Sequence, residues 1–374
     1  MRAALADFPP PPEGRTGWPW SPPSTRRPSQ TSAAHLWPKI SIVTPSFNQG
    51  AYLEETIRSV LLQGYPNLEY FVIDGGSNDS SVDILRKYDR FLTAWVSEPD
   101  AGQSDAINKG LRLCTGELFN WLNSDDTYEP EALFRVARTA RAYPEKTLVC
   151  AVERGMNHVG EESTGISSGT TLADTLEETL LAAHIDQPAT FFRREALERI
   201  GPLDAALHYK MDSDLWLRYL LLFGMSGIAK TNDILVNFRY HEHSKSVAFQ
   251  ERFDRERILL QRRLARSFHL TFVQENLALL HGGEPDDDQL AYECRVAVDR
   301  RRLALLFRKK FASEFFQRNL LDLSRREIRA SPRSLIDMSD LPYLRFAWAM
   351  TLLPNPAIAL LRRVRSRQSF IGGK

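Results

Sequence analysis

The sequence of 374 residues contains only three cysteines, Cys114, Cys150 and Cys294. An odd, scattered set argues against a disulfide framework or a cysteine metal site and fits a reducing compartment. Met1–Gln30 has no continuous apolar stretch, so no signal peptide is expected there. The uncharged segment Phe346–Leu361 is broken by Pro354-Asn355-Pro356 and falls short of the ~20 apolar residues that span a bilayer. The Gly-x-Gly-x-x-Gly spacing of a dinucleotide fingerprint is missing. No internal repeat is present, and the loop Thr44–Gly50 holds no Lys or Arg.

Net charge is also nearly absent, at +1, but the balance is local. Arg301–Lys374 carries 16 basic and 5 acidic residues, so a basic tail follows an acidic body. Such a tail fits either an anionic partner surface or a solvated helical face. Hydrophobic content of 43% supports a real core, and the length allows two domains or one large domain with extensions.

Nine of the 21 prolines lie in residues 1–38, which predicts a disordered leader. From Lys39 the pattern alternates. Ile40–Val43, Leu68–Ile73, Thr93–Ser97 and Leu118–Leu122 read as strands; Tyr52–Gln63, Val82–Tyr88 and Gln103–Leu113 read as helices. This is the signature of an α/β fold with a mostly parallel central sheet, whose ligands bind beyond the carboxyl ends of the strands. Further on, Pro130–Tyr143, Leu172–Ala183 and Asp214–Phe223 read as helices, Thr147–Val152 and part of Ile228–Tyr240 as strands, and Glu153–Gly169 as a loop. From residue 247 one long amphipathic helix is expected to reach Leu280, followed by an acidic loop at Asp286–Asp288 and more helix. The expected domains are therefore 1–38, 39–246 and a helical, basic extension at 247–374.

Polar clusters close the strands. Asn123-Ser124-Asp125-Asp126 ends the run Leu118–Leu122, and adjacent carboxylates at the end of a buried strand call for a cation. A hydrated divalent ion holding a diphosphate answers that need, because hard cations share carboxylate and phosphate oxygens. Asp74-Gly75-Gly76-Ser77-Asn78-Asp79 offers a carboxylate for a pyrimidine imide or a ribose hydroxyl, or is an ordinary Gly-rich turn. Phe47, after Pro45-Ser46, could stack on a base or belong to the core. Asp212 and Asp214 sit at a helix mouth, where one acid can cap while the other faces a cleft and accepts a proton. His241, at a strand end, could complete a metal site or lie on the surface.

In this order the segments resemble a family 2 glycosyltransferase of the GT-A fold, over about Lys39–Ser246. The matching stretches are Ile42–Asn48, Ile73–Ser77, Ser97–Gly110, Gly116–Asp126, Gly201–Asp204, Met211-Asp212 and His241. The stretch Ser97–Gly110 is similar to a branch acting in polysaccharide or lipid-linked glycan assembly. The resemblance implies inverting transfer from a nucleoside-diphosphate sugar to a hydroxyl of a glycan or lipid-linked acceptor. It assigns Asp126 and His241 to Mg²⁺ or Mn²⁺, Asp125 to ribose, Asp74 and Phe47 to the base, and Asp212 to deprotonation of the acceptor. Pro45, Ser46 and Asn108 fall in donor-binding stretches, and Gln187 and Asp214 on the acceptor side. Four positions depart from the pattern: Gly75 and Asn123 stand where acids are usual, Ile107 replaces a common Arg, and Met211 a common Glu.

Two other classes compete. A nucleotidyltransferase would need a basic residue at an α-phosphate, which Thr44–Gly50 lacks, and a non-catalytic nucleotide-sugar or glycan binder would have no use for both Asp125-Asp126 and Asp212. No nucleic-acid partner is expected. The expected location is cytoplasmic, with the tail and Phe346–Leu361 either attaching peripherally to an anionic membrane face or packing as a helical subdomain on the catalytic core.

Overall fold

The computed structural model describes residues 8–21, 37–157, 162–167, 169–241, 245, 249–282, 289–332, 334 and 341–358. The chain divides into two compact units. The first comprises Met1–Leu172, Ala183–Leu260 and Glu293–Val296; the second comprises Ala173–Ala182, Gln261–Tyr292 and Ala297–Lys374.

The first unit holds the sheet. Strands β1 (Ile40–Ser46), β2 (Leu68–Asp74), β3 (Ala94–Ser97) and β4 (Leu118–Trp121) run parallel. They are linked by helices α1 (Leu53–Leu61), α2 (Ser81–Tyr88) and α3 (Gln103–Leu113). Every residue of β1 is buried, as a central strand covered on both faces requires. The register pairs Ser46 with Asp74 and Asp74 with Ser97, so the three strands end at one edge.

Beyond β4 the sheet becomes mixed. The later strands are β5 (Thr127–Tyr128), β6 (Leu148–Met156), β7 (Glu162–Ile166), β8 (Thr190–Arg193) and β9 (Ile228–Arg239). Their order is β3-β2-β1-β4-β8-β6-β9-β5, with β7 on β6. Strand β8 runs antiparallel to β4 and β6, whereas β6 and β9 are parallel. Helices α4 (Ala132–Ala142), α6 (Arg194–Ile200) and α7 (Met211–Phe223) belong to this unit, and α5 (Leu176–Ala182) to the other.

Four expectations change. Within 153–169, expected as a loop, β6 continues to Met156 and Glu162–Ile166 form β7, with Arg154 paired to Ile166 and Gly155 to Gly165. Backbone ladder bonds hold it despite its Gly and Ser content. Helix α7 starts at Met211, three residues early, because Glu256 fixes the turn before it. The expected helix from 247 to 280 is two, Gln250–Ser267 and Thr271–His281. His269 breaks them at φ 52°, and its N–H bonds back to the Arg266 carbonyl, a left-handed helix ending.

The fourth concerns the leader: residues 8–21 are folded onto the first unit. Buried Arg58 of α1 donates to the carbonyls of Pro9 at 2.9 Å, Pro19 at 3.2 Å and Trp20 at 2.9 Å, and to the Tyr88 hydroxyl at 2.8 Å. Prolines cannot enter a ladder, but their carbonyls accept freely, and a guanidinium with five donors gathers them. Trp18 adds a bond from Nε1 to the Tyr128 carbonyl at 2.7 Å.

In the second unit, helices Arg300–Gln317 and Leu321–Ala330 are joined by the Arg308–Glu327 ion pair at 2.6 Å. Of the segment Phe346–Leu361, residues up to 358 are described. Phe346 meets Phe316 edge-on with centroids 5.2 Å apart, and Met350 and Ile358 are buried with Leu321. These side chains pack within the second unit. Among the described residues no helix is long and apolar enough to cross a membrane. Arg362, Arg363, Arg365 and Arg367, and Asp286–Asp288, lie outside the described residues.

Replacing Arg58 with Met leaves three carbonyls and a tyrosine hydroxyl without their buried donor. Arg58→Met is expected to lower stability by about 2–4 kcal/mol, read as a lower urea midpoint, and to open residues 8–21 to limited proteolysis.

Candidate active site

The carboxyl ends of β1, β2 and β4 border a cavity of about 740 Å³ within the first unit. Its lining includes Pro45, Ser46, Phe47, Gly75 and Asp100, and also Asn123, Asp125, His184, Gln187 and Asp212. The Phe47 ring is 61% exposed, so it is a surface aromatic at a cavity and no part of the core. Ser46 is 5% exposed, and its Oγ is a buried polar atom with no hydrogen-bond partner. Buried hydroxyls are normally satisfied, and this one has no partner among the described residues.

The Asp125-Asp126 turn is held from two sides. Thr56 Oγ of α1 donates to the carbonyls of Ser124 at 2.9 Å and Asp126 at 2.7 Å. From β9, Arg239 donates its backbone N–H to Asp126 Oδ1 and its Nε to the Asp125 carbonyl, both at 2.9 Å. Arg239 is itself 2% exposed, paired with Glu55 at 3.1 Å and lying over the Tyr52 ring.

This arrangement changes the expected roles. Asp126, the expected metal ligand, is 1% exposed and turned away from the cavity toward Arg239 and Asn123. Burial, reinforced by Asp125, raises its pKa well above the usual carboxylate range. The carboxylate on the cavity side is Asp125, whose Oδ2 lies 3.0 Å from His241 Nε2, with the imidazole stacked near Tyr52. Asp125 and His241 are thus the pair that converges.

Asp74 does not reach the cavity. It is fully buried and accepts from Gly76 N, Ser77 N, Ser77 Oγ and Ser97 Oγ at 2.5–3.2 Å, which shapes the loop instead of reading a base. Asn108 is likewise withdrawn. Its amide bonds both ways to Leu203, at 2.8 and 2.9 Å, tying α3 to the loop before α7. Gln187 lines the cavity, but its Nε2 is engaged by Asn120 Oδ1 and the Trp121 carbonyl. Asp214 turns from the acceptor side to Arg218, four residues on, at 2.8 Å.

Asp212, in the first turn of α7, faces the cavity, and burial raises its pKa. Its position depends on Glu256, which accepts from the backbone N–H groups of His208, Tyr209 and Lys210 at 2.7–2.8 Å. Beside it stand Glu153, pushed up to about 8 by burial and by Asp186 and Asp212, and the His184–Asp186 pair at 3.1 Å. Sequence reasoning missed Arg239, Glu256, Glu153 and Asp100. Only the charged Glu153 within a β-prone stretch carried a local signal; the others are recognisable only from their distant partners.

The donor set suits a hard divalent cation that arrives with its ligand. Among the described residues no group of three or more His, Cys, Asp or Glu could cage an ion alone. Yet Asp125 lines the cavity and meets His241 at 3.0 Å, and Mg²⁺-like ions take one or two protein ligands and complete their shell with phosphate and water.

Sequence comparison agrees with this geometry, residues 41–201 matching the Glycosyl transferase family 2 model. This domain belongs to glycosyl transferase family 2. The family 2 domain and its flanks are similar to an uncharacterized glycosyltransferase of Rickettsia typhi, 26% identical over 219 residues, covering 55% of this chain and 65% of the relative. Residues of this chain are also 34% identical over 99 residues to a putative teichuronic acid biosynthesis glycosyltransferase, TuaG, of Bacillus subtilis, covering 26% and 39% of the two chains. The chain therefore spans less than two thirds of the length of these relatives. Among solved structures, S. aureus TarS in complex with UDP-GlcNAc superposes with a TM-score of 0.51 at 17% identity, covering 83% of this chain and 88% of that one. The family 2 domain thus shares its fold with TarS.

A carboxyl that keeps its proton when folded destabilises the fold as pH rises. Below about pH 4.5, the ordinary Glu value, Glu153 is protonated in both states; between that pH and about 8 only the unfolded chain loses the proton. Wild-type stability therefore falls across this window by up to about 1.4 kcal/mol per pH unit from this group. Glu153→Gln is expected to remove that part of the slope, with urea midpoints in EDTA equal to wild type near pH 4 and higher at pH 8.

Proposed function

We propose that this chain transfers a sugar from a nucleoside diphosphate to a hydroxyl acceptor with inversion, in the assembly of a cell-envelope polysaccharide. The observation that carries the reading is one cavity lined both by Asp125, which pairs with His241, and by Asp212, a carboxylate whose pKa burial raises. The TuaG similarity and the sugar-nucleotide complex of TarS support the substrate class.

Phe47, Pro45 and Ser46 border the nucleotide end of the cavity. Asp125 and His241 would hold Mg²⁺ or Mn²⁺ against the diphosphate. When bound, the ion neutralises charge developing on the departing diphosphate. Asp212 accepts the proton of the attacking hydroxyl, and burial makes it a stronger base than an ordinary aspartate. No protein nucleophile is needed; one displacement from the face opposite the leaving group gives inversion. Glu256 and Asn108 act through backbone, holding the turn and loop that carry Asp212 in place. The acceptor is a glycan or lipid-linked hydroxyl meeting the wall of Glu153, His184 and Asp186. The basic tail is proposed to favour an anionic membrane surface.

Two substitutions separate the roles. Asp212→Asn is expected to slow transfer by about 10²–10⁴ while Mn²⁺-dependent UDP binding, measured by calorimetry, stays near wild type. Asp125→Asn is expected to abolish that Mn²⁺-dependent binding. Transfer that persists in EDTA, or survives Asp212→Asn, would overturn these assignments.

A further inference from the structure

The cavity lining contains a carboxylate, Asp100, to which the sequence reading gave no role. Asp74, the acid expected to read the base, is fully buried and accepts from three donors of its own loop and from Ser97 of β3. Its neighbour Gly75 has no side chain, and that space is filled. A Cβ at residue 75 would stand 2.8 Å from Asp100 Oδ2 and 3.2 Å from Asp100 Cγ, closer than atoms tolerate. Asp100 follows β3, and its carboxylate lies over the Gly75 backbone on the cavity wall shared with Phe47 and Pro45.

The two oxygens of Asp100 differ. Oδ1 accepts from Gly102 N at 2.8 Å. Oδ2 has no hydrogen-bond partner among the described residues, and it is the atom nearest the vacant Cβ position. An exposed phenyl ring and an open carboxylate oxygen lining one cavity suit a flat heterocycle that donates one ring N–H. Uracil and thymine present such an imide N–H between two carbonyls. Cytosine presents a lone pair at the same ring nitrogen, which a carboxylate repels, and guanine presents two adjacent donors that call for both oxygens.

We propose that Asp100, admitted by the bare backbone of Gly75, reads the base by accepting the imide N–H of uracil or thymine. This rests on the reading of the cavity as a nucleotide site. Asp100 is then a specificity residue in place of Asp74, and Gly75 is required because any side chain there displaces the Asp100 carboxylate.

The test is calorimetric titration of the full chain with UDP, dTDP, CDP and GDP in Mn²⁺. Wild type is expected to bind UDP or dTDP at least tenfold more tightly than CDP. Asp100→Asn, which replaces one acceptor by an amide donor, is expected to weaken UDP at least tenfold and to shift the UDP/CDP ratio toward CDP. Gly75→Ala is expected to weaken UDP comparably with an unchanged unfolding midpoint. An unchanged UDP/CDP ratio in Asp100→Asn, or GDP as the tightest wild-type ligand, overturns the proposal and leaves the nucleotide site standing. Failure of every nucleoside diphosphate to bind wild type overturns the nucleotide-site reading instead.

Discussion

The buried guanidinium of Arg239 is the interaction on which the site depends. A cation 2% exposed is tolerable only with charge and hydrogen-bond partners on all sides. Glu55 supplies the counter-charge, Tyr52 a ring face, and the Asp125 carbonyl an acceptor. In satisfying itself, Arg239 joins the last long strand of the sheet to its first helix, with the Asp125-Asp126 turn between them. Thr56 completes the clamp from the helix side. Two acids in sequence are thereby given opposite surroundings: Asp126 is sealed in, and Asp125 looks out.

The cavity gathers charged groups of both signs. Asp100, Asp125, Glu153, Asp186 and Asp212 all line it, together with His184, His208, Lys210, Arg239 and Lys245. Burial raises Asp212, and burial with repulsion from Asp186 and Asp212 raises Glu153. Carboxylates on the lining repel a bare diphosphate, which makes a cation accompanying the donor physically sensible.

Much of this was legible in sequence because it is local. Alternating apolar runs gave the parallel strands and their helices, and polar clusters after those runs marked the right edge of the sheet. What local pattern cannot convey is which way a side chain turns. Asp74 and Asn108 carry the right chemistry at the right edge, yet Ser77 and Ser97 capture one and Leu203 the other. The choice between Asp125 and Asp126 is set by Arg239, more than a hundred residues on. The leader misled for a related reason: its prolines rule out helix and ladder but leave its carbonyls available, and Arg58 collects them.

Glu256 bears on how this protein can be divided. Its carboxylate satisfies three consecutive backbone N–H groups immediately before the helix that carries Asp212. The family match ends at residue 201, and the sheet ends with Arg239, so a cut drawn from homology or from strands alone would discard this support. Three amides facing no acceptor would reorganise the turn and move the carboxylate at its end. A transplantable catalytic module must therefore carry the opening of helix Gln250–Ser267 with it, and chimeras that exchange the helical region need their junction downstream of residue 256.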